Sequence, residues 1–384
     1  MIKINIKNYS ILLSAILFTG CGGGGSSSTS TTIASISGQV ADSYINNLQY
    51  TCADNITRTT DINGLFNCTP PVNFKIGNIN LGTILTVPDN SHIFPHNILG
   101  VAQDDPSVIA LAQLFQSLDE DNNPENGIDI SDVTLSSFES YVQEDFNSSN
   151  IIDYINYVNK TLVDETTATD HLNETIDSIT SIETLDLPTN VTQYLYTPKS
   201  VINDELINAV KYMADEERLA YDAYNNLYTY HDSSVKQLNN IPTKSEYYHI
   251  KAVQGLVKKY NITNTELYSN ELEDLTSGVY EIDTIQNLYD SLYAQGVASK
   301  EEALKVGCAI EVTDVNDLDE FITLANEQSA SDIVGIFDYL RAGSYNHYWA
   351  FDKGLKNLGV SEGCCSLGQD YCKTDAEYPN TSNM

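Results

Sequence analysis

Positive charge is scarce in this chain of 384 residues: 19 lysines and arginines stand against 53 aspartates and glutamates, a formal net charge of -34. A surface of that sign repels a phosphate backbone, which excludes nucleic acid as a partner. Long apolar runs are missing too. The N-terminal run from Ile11 to Phe18 is well short of the ~20 residues that a membrane-spanning helix needs. Cysteine is sparse, 7 in all. The acidic run that begins at Asp119 lacks the glycine and glutamate that an EF-hand places sixth and twelfth; Pro124 and Ile130 stand there instead. Its alternating oxygen donors Asp119, Asp121, Asn123 and Glu125 still suit calcium, with a solvated acidic turn as the competing reading.

What the N-terminus does contain is an ordered signal. Lys3 and Lys7 precede the apolar run and Thr19-Gly20-Cys21 follows it, the basic, apolar and small-residue order of an export signal over residues 1–20. A cysteine in that position resembles a bacterial lipoprotein cleavage site, which implies that Cys21 becomes the acylated first residue. Residues 21–34, with Gly22 to Gly25 and Ser26 to Ser28, read as a flexible tether. With Gly22 in place of aspartate, the same resemblance to lipoproteins implies sorting to the outer membrane, periplasmic or surface-facing, with the membrane as partner through the lipid anchor. Lipidation leaves 7 - 1 = 6 cysteines, an even number in an oxidising compartment, so disulfides are expected among Cys52, Cys68, Cys308, Cys364, Cys365 and Cys372.

The remainder reads as a multi-domain α+β chain: a small β-rich module over 35–100, an α-rich segment over 101–195, a helical bundle over 201–360 and a cysteine-containing tail over 361–384. Gly38 to Val40, Leu48 to Cys52 and Gly64 to Cys68 alternate as strands do, with Asp61-Ile62-Asn63-Gly64 as a turn. Cys52 and Cys68 fall on neighbouring strands and suit a cross-strand disulfide. The runs Thr60-Asp61-Ile62-Asn63-Gly64-Leu65-Phe66 and Phe74-Lys75-Ile76-Gly77-Asn78-Ile79 resemble landmarks of a β module of bacterial surface lipoproteins and adhesin-like proteins. Leu118 to Ile128 is similar to the run that follows that module. Val108 to Phe115 starts the helical segment, and Thr192 to Ser200, with Pro198, reads as a linker.

From Val201 the periodicity predicts helices at about 201–230, 243–260, 281–295, 300–327 and 331–357. Thr243 with Glu246, Ser299 with Glu302 and Ser329 with Asp332 carry the hydroxyl-x-x-acid signature of a helix start, and Pro242, Gly296 and Gly359 stand where helices are expected to stop. The informative positions are those where an apolar stripe is broken. Leu206, Val210, Met213, Ala220, Tyr224 and Leu227 step by three and four around Glu217. Leu304, Gly307 or Cys308, Val315, Leu318, Ile322 and Ala325 do the same around Glu311. Ile333, Phe337, Leu340, Phe351 and Leu355 flank Ser344 and His347, and Glu246 and His249 head a stripe through Val253, Leu256 and Tyr260. Residues three apart share a helix face, so one turn aims the Glu246 carboxylate and the His249 imidazole at one point. Unpaired charges in a core cost several kcal/mol, so such groups converge on each other or on a metal.

Four runs in order, Asp215 to Asp222, Ser245 to His249, Leu304 to Glu311 and Arg341 to His347, resemble an uncharacterised ferritin-like family, domain of unknown function 2202, over roughly Ile202 to Leu358. The resemblance implies a ferritin-like bundle with metal ligands Glu217, Glu246, His249, Glu311 and His347. Ser344 stands where the last helix of such proteins carries a glutamate, and Asp314, one turn beyond Glu311, is the candidate replacement. Mixed carboxylate and imidazole ligation favours iron, then manganese, with zinc third. In ferritin-like relatives such sites oxidise ferrous iron or reduce oxygen or peroxide, so the resemblance implies an oxidoreductase acting on a small oxidant or on the metal ion. The competing class is a non-enzymatic surface protein whose bundle is structural. For individual residues the alternatives are a capping box for Glu246, satisfied core histidines for His249 and His347, aromatic packing for Tyr221, Tyr224, Tyr247 and Tyr248, and a solvated Glu216. Cys308 is expected to pair with Cys364, Cys365 or Cys372, and His92, His96 and His231 lack partners at ligand spacing.

Overall fold

The computed structural model describes residues 34–380. The export signal, Cys21 and nearly all of the tether lie outside the described residues.

The N-terminal strands are β1 (Ile36–Val40), β2 (Ile45–Asn46), β3 (Gln49–Thr51), β4 (Thr57–Thr59), β5 (Leu65–Cys68), β6 (Val72–Ile76), β7 (Ile79–Ile84) and β8 (His92–Ile93). Alternation sets their faces: in β6, Val72, Phe74 and Ile76 are buried while Asn73 and Lys75 are only partly so. Strand β1 lies between β5, antiparallel, and β8, parallel; β6 pairs antiparallel with β3 and β7. Gly64 ends the turn before β5 at φ +69°, where a Cβ would meet the Val40 carbonyl at 2.4 Å. Asp61 closes that turn by accepting the amides of Asn63 and Leu65. Cys52 and Cys68 are joined, their Cα atoms 5.5 Å apart.

The next segment is sewn into this sheet. Short strands β9 (Ile128–Asp129) and β10 (Glu144–Asp145) pair in parallel with β2 and β7. Helices α1 (Pro106–Leu118), α2 (Asp132–Phe138) and α3 (Ile151–Tyr157) put Leu111, Phe115, Phe138 and Tyr154 into one core with Phe66 and Phe74. The oxygen donors considered for calcium are engaged locally. Asp119 accepts the amides of Asn123 and Asp129, Asp121 accepts from Asn123 and Asn126, and Glu125 pairs with His171 and Lys199. Among the described residues, no third acidic or imidazole group converges with Asp119 and Asp121.

Helices α4 (Glu165–Glu183) and α5 (Thr189–Leu195) lead to the bundle. Residues 192–200, expected as a linker, are packed. Tyr194 lies where a side chain at Gly335 would be, Leu195 lies over Gly255, and Lys259 donates to the Tyr194 carbonyl and the Thr197 hydroxyl at 3.2 and 2.9 Å. Full burial of Leu195 and Val191 stabilises this docking by about 1.5–3 kcal/mol each.

The bundle consists of α6 (Asp204–Tyr230), α7 (Gln237–Ile241), α8 (Tyr247–Lys259), α9 (Asp283–Gly296), α10 (Lys300–Glu327) and α11 (Ser331–Asn357). Asn203 and Ser299 cap α6 and α10 by accepting the amides of Leu206 and Glu302. Two expected caps and one expected stop are corrected. Ser329 sits at φ 57° and the N-cap of α11 is Ala330, with no side-chain bond. The chain passes through Pro242 from α7 to α8 by a π turn, Pro242–Glu246, whose wider winding accommodates a residue without an amide proton. Thr243 is therefore inside a helix, its hydroxyl donating to the Asn239 carbonyl, and caps nothing. Cys308 of α10 is joined to Cys364 of the tail, and within the tail Cys365 is joined to Cys372.

Candidate metal centre

The broken stripes of α6, α8, α10 and α11 meet inside the bundle. Glu217 from α6, Glu246 from the end of the π turn and His249 from the start of α8 bring ligand atoms within 4.8 Å of one another, and so do Glu246, Glu311 from α10 and His347 from α11. All five side chains are buried. The π turn places Glu246 at its last position, so the carboxylate proposed as a capping partner points into the core instead.

The two clusters share Glu246. Its Oε2 lies 2.9 Å from His249 Nδ1 and its Oε1 lies 2.9 Å from His347 Nδ1. On the outer sides, Glu217 Oε2 is 3.2 Å from His249 Nδ1, and Glu311 Oε2 is 3.3 Å from His347 Nδ1. The imidazole rings are 5.4 Å apart, centroid to centroid. Tyr224 donates to Glu311 Oε1 at 2.5 Å, which fixes that carboxylate; aromatic packing was the expectation for this residue, and it packs on Phe351 as well. Tyr339 packs edge-on against His249. Asp314, the candidate replacement ligand, is buried but joins neither cluster; its Oδ2 accepts from Ser344.

Burial governs the electrostatics. It pushes Glu217 up to about 7 against the pull of His249. Burial also raises Glu311, against His347, and carries Asp314 well above the carboxylate range with help from Glu217 and Glu311. Glu246 is the exception, because His347 and His249 together overcome its desolvation and hold it below the usual range. Both imidazoles respond in kind: burial alone disfavours their charge, yet Glu217 and Glu246 raise His249 well above its ordinary value, and Glu246 and Glu311 raise His347 to about 10. Glu216, read as solvated, is only 2% exposed and is raised by burial and by Asp314, Asp317 and Glu217. The reason is that α6 is enclosed on more than one side, so that Asp215, Glu216, Glu217 and Arg218 are all buried.

These residues fit a metal ion on three counts. Carboxylates outnumber imidazoles, the donor set is of the oxygen and nitrogen kind that transition dications take, and donor atoms are left unpartnered. Glu217 Oε1 has no hydrogen-bond partner, and His347 Nδ1 approaches two carboxylates without hydrogen-bond geometry to either. The other histidines serve elsewhere: His231 bonds the Gly296 carbonyl, His92 packs among Tyr44, Phe94 and Tyr196, His96 stacks on Phe94, and His171 pairs with Glu125.

Residues 206–373 match the family described as uncharacterised protein domain DUF2202. The uncharacterised protein MJ0754 of Methanocaldococcus jannaschii is 35% identical over 162 residues, which is 42% of this chain and 81% of that protein. The crystal structure of the hypothetical protein MJ0754, from Methanococcus jannaschii, is similar at 32% identity and a TM-score of 0.40, covering 47% of this chain and 93% of that one. Through its C-terminal half, then, the chain belongs to the uncharacterised DUF2202 family.

Proposed function

We propose that the bundle is a ferritin-like centre for two divalent transition-metal ions, iron ahead of manganese, in an exported and lipid-anchored protein. The observation that carries this reading is the Glu246 carboxylate, whose two oxygens each face a different imidazole and so belong to two three-group clusters at once. A carboxylate shared in this way, flanked by one glutamate and one histidine on each side, is the donor pattern of helical two-metal sites less one glutamate, the position that Ser344 occupies. Glu217, Glu246 and His249 would hold one ion and Glu246, Glu311 and His347 the other. Iron so held supplies one-electron chemistry, the basis for an oxidoreductase reading with oxygen, peroxide or ferrous iron as substrate. The chain's own part is to orient and to exclude water. Tyr224 fixes the free oxygen of Glu311 and itself packs on Phe351, and all five donor side chains are buried away from solvent. The surplus of buried carboxylates offsets the charge of two dications, and it sets their electrostatic environment before binding.

Metal analysis of single variants tests this directly. Protein from its native compartment, or reconstituted with ferrous iron or manganese(II), is expected to carry about two equivalents. His249→Ala and Glu217→Leu each remove about one, whereas Glu246→Leu removes both. Fewer than about 0.2 equivalents in the unaltered protein after reconstitution would end the reading, as would an Glu246→Leu variant that keeps both ions.

A further inference from the structure

Among the carboxylates of α6 and α10 that neither cluster uses, three act on one another and on the ligands. Asp317 is half-buried and lies within hydrogen-bonding reach of Glu216 and Tyr212. Glu216 is 2% exposed, and its Oε2 is buried without a partner. Asp314 is 5% exposed; Ser344 occupies its Oδ2, and its Oδ1 is likewise buried without a partner. The strongest charges acting on Glu216 come from Asp314, Asp317 and Glu217, and those acting on Asp314 come from Glu217 and Glu311. Negative groups thus lead in steps from the half-buried Asp317 to the ligands Glu217 and Glu311.

We propose that Asp317, Glu216 and Asp314 form a route by which a divalent transition cation passes between α6 and α10 to the Glu217, Glu246 and Glu311 ligands. The inference rests on the metal-centre reading above. Packing does not account for Glu216 and Asp314, since a buried carboxylate with an open oxygen costs free energy that a leucine in its place would not. Nor do they make a third resting site. Among the described residues, only the two clusters bring three donor groups together. Steps that offer one or two carboxylates hold a cation weakly, and weak successive binding is what transit requires. A low-dielectric cleft lined by one sign of charge also concentrates the opposite ion at its mouth.

The experiment uses metal-free full-length protein mixed with manganese(II), with the free ion followed by electron paramagnetic resonance during uptake and the bound equivalents counted at the end. Asp317→Asn and Glu216→Gln are each expected to slow uptake about tenfold or more, within the range such focusing produces, with the final equivalents equal to those of the unaltered protein. Glu320→Gln, an exposed carboxylate one turn beyond Asp317 on the same helix, is expected to leave the rate unchanged. Unaltered rates in both route variants would overturn the proposal. Equal slowing by Glu320→Gln would replace the route by a general surface field. Fewer final equivalents in Glu216→Gln would make that residue a ligand, which also overturns it. Should Glu216→Gln fail to fold, Asp317→Asn at its half-buried position decides alone. Failure of the unaltered protein to bind manganese or iron at all would instead refute the metal centre itself.

Discussion

Gly343 has no side chain because His249 occupies the space that one would need. A Cβ there would lie 2.3 Å from both Cε1 and Nε2 of the imidazole. Alanine in a helix interior is ordinarily favoured over glycine by roughly 1 kcal/mol, so the substitution separates helix stability from site geometry. Gly343→Ala is expected to keep the helical circular dichroism and to lose about one metal equivalent, the one held by the Glu217 cluster. Charge burial gives a second prediction, away from the centre. Asp42 is fully buried with Gln116 as its donor at 3.2 and 3.3 Å, and burial raises it from 3.8 to about 7 against the pull of His171. A carboxyl whose folded value lies above its unfolded value stabilises the fold most below the unfolded value, and that contribution is lost as pH climbs toward the folded one. Asp42→Asn should therefore match the unaltered protein near pH 4 and exceed it by up to about 4 kcal/mol at pH 8, as read by urea unfolding at both pH values. At this scale the sequence announced Glu217, Glu246, His249, Glu311 and His347, because each interrupts or heads an apolar stripe. It concealed Glu216 and Arg218. A run of four charged residues, Asp215 to Arg218, looks like a solvated face unless one knows that the loop after α8 covers it, where Arg218 bonds Glu266 and the Val279 carbonyl.

Helix spans were legible from periodicity: α10 and α11 run over Lys300–Glu327 and Ser331–Asn357, the bounds expected from the pattern, although only α10 forms its expected cap. The approach to α8 was not. Proline normally ends a helix, and only the tertiary placement of Leu238 and Ile241 in the core on one side and of Glu246 on the other makes a widened turn through Pro242 favourable. The α10–α11 hairpin offers the prediction at this scale. Cys308 lies one turn before Glu311, and its bond to Cys364 closes a loop of 56 residues. Loop closure of that length restricts the unfolded chain by about 4 kcal/mol. Cys308→Ser combined with Cys364→Ser should lower unfolding stability by about 2–4 kcal/mol in non-reducing urea titrations. A change below about 0.5 kcal/mol would mean that packing alone holds the hairpin.

For the whole molecule, composition and patterning conveyed a β-rich start, a helical remainder and an acid surface. They did not convey which amphipathic faces meet, since periodicity shows that a face is buried and not against what. Phe115 and Tyr154 of the helical segment share a core with Phe66 and Phe74 of the sheet, while Val191 and Leu195 join the bundle. The lipid anchor proposed at Cys21 is tested at this scale. Cys21→Ser should move the protein from the membrane fraction to the soluble one and abolish an acyl mass on the mature N-terminus, and a variant that stays membrane-bound would rule the anchor out. The bond between Cys308 and Cys364 has one more consequence. Glu311 and His347 lie inside the ring it closes, whereas Glu217, Glu246 and His249 lie outside. The centre is thus assembled from a part that depends on thiol oxidation and a part that does not, and a chain folded under reducing conditions presents the two halves less firmly fixed to one another. The metal content of a purified sample should accordingly carry a record of the compartment in which that chain matured.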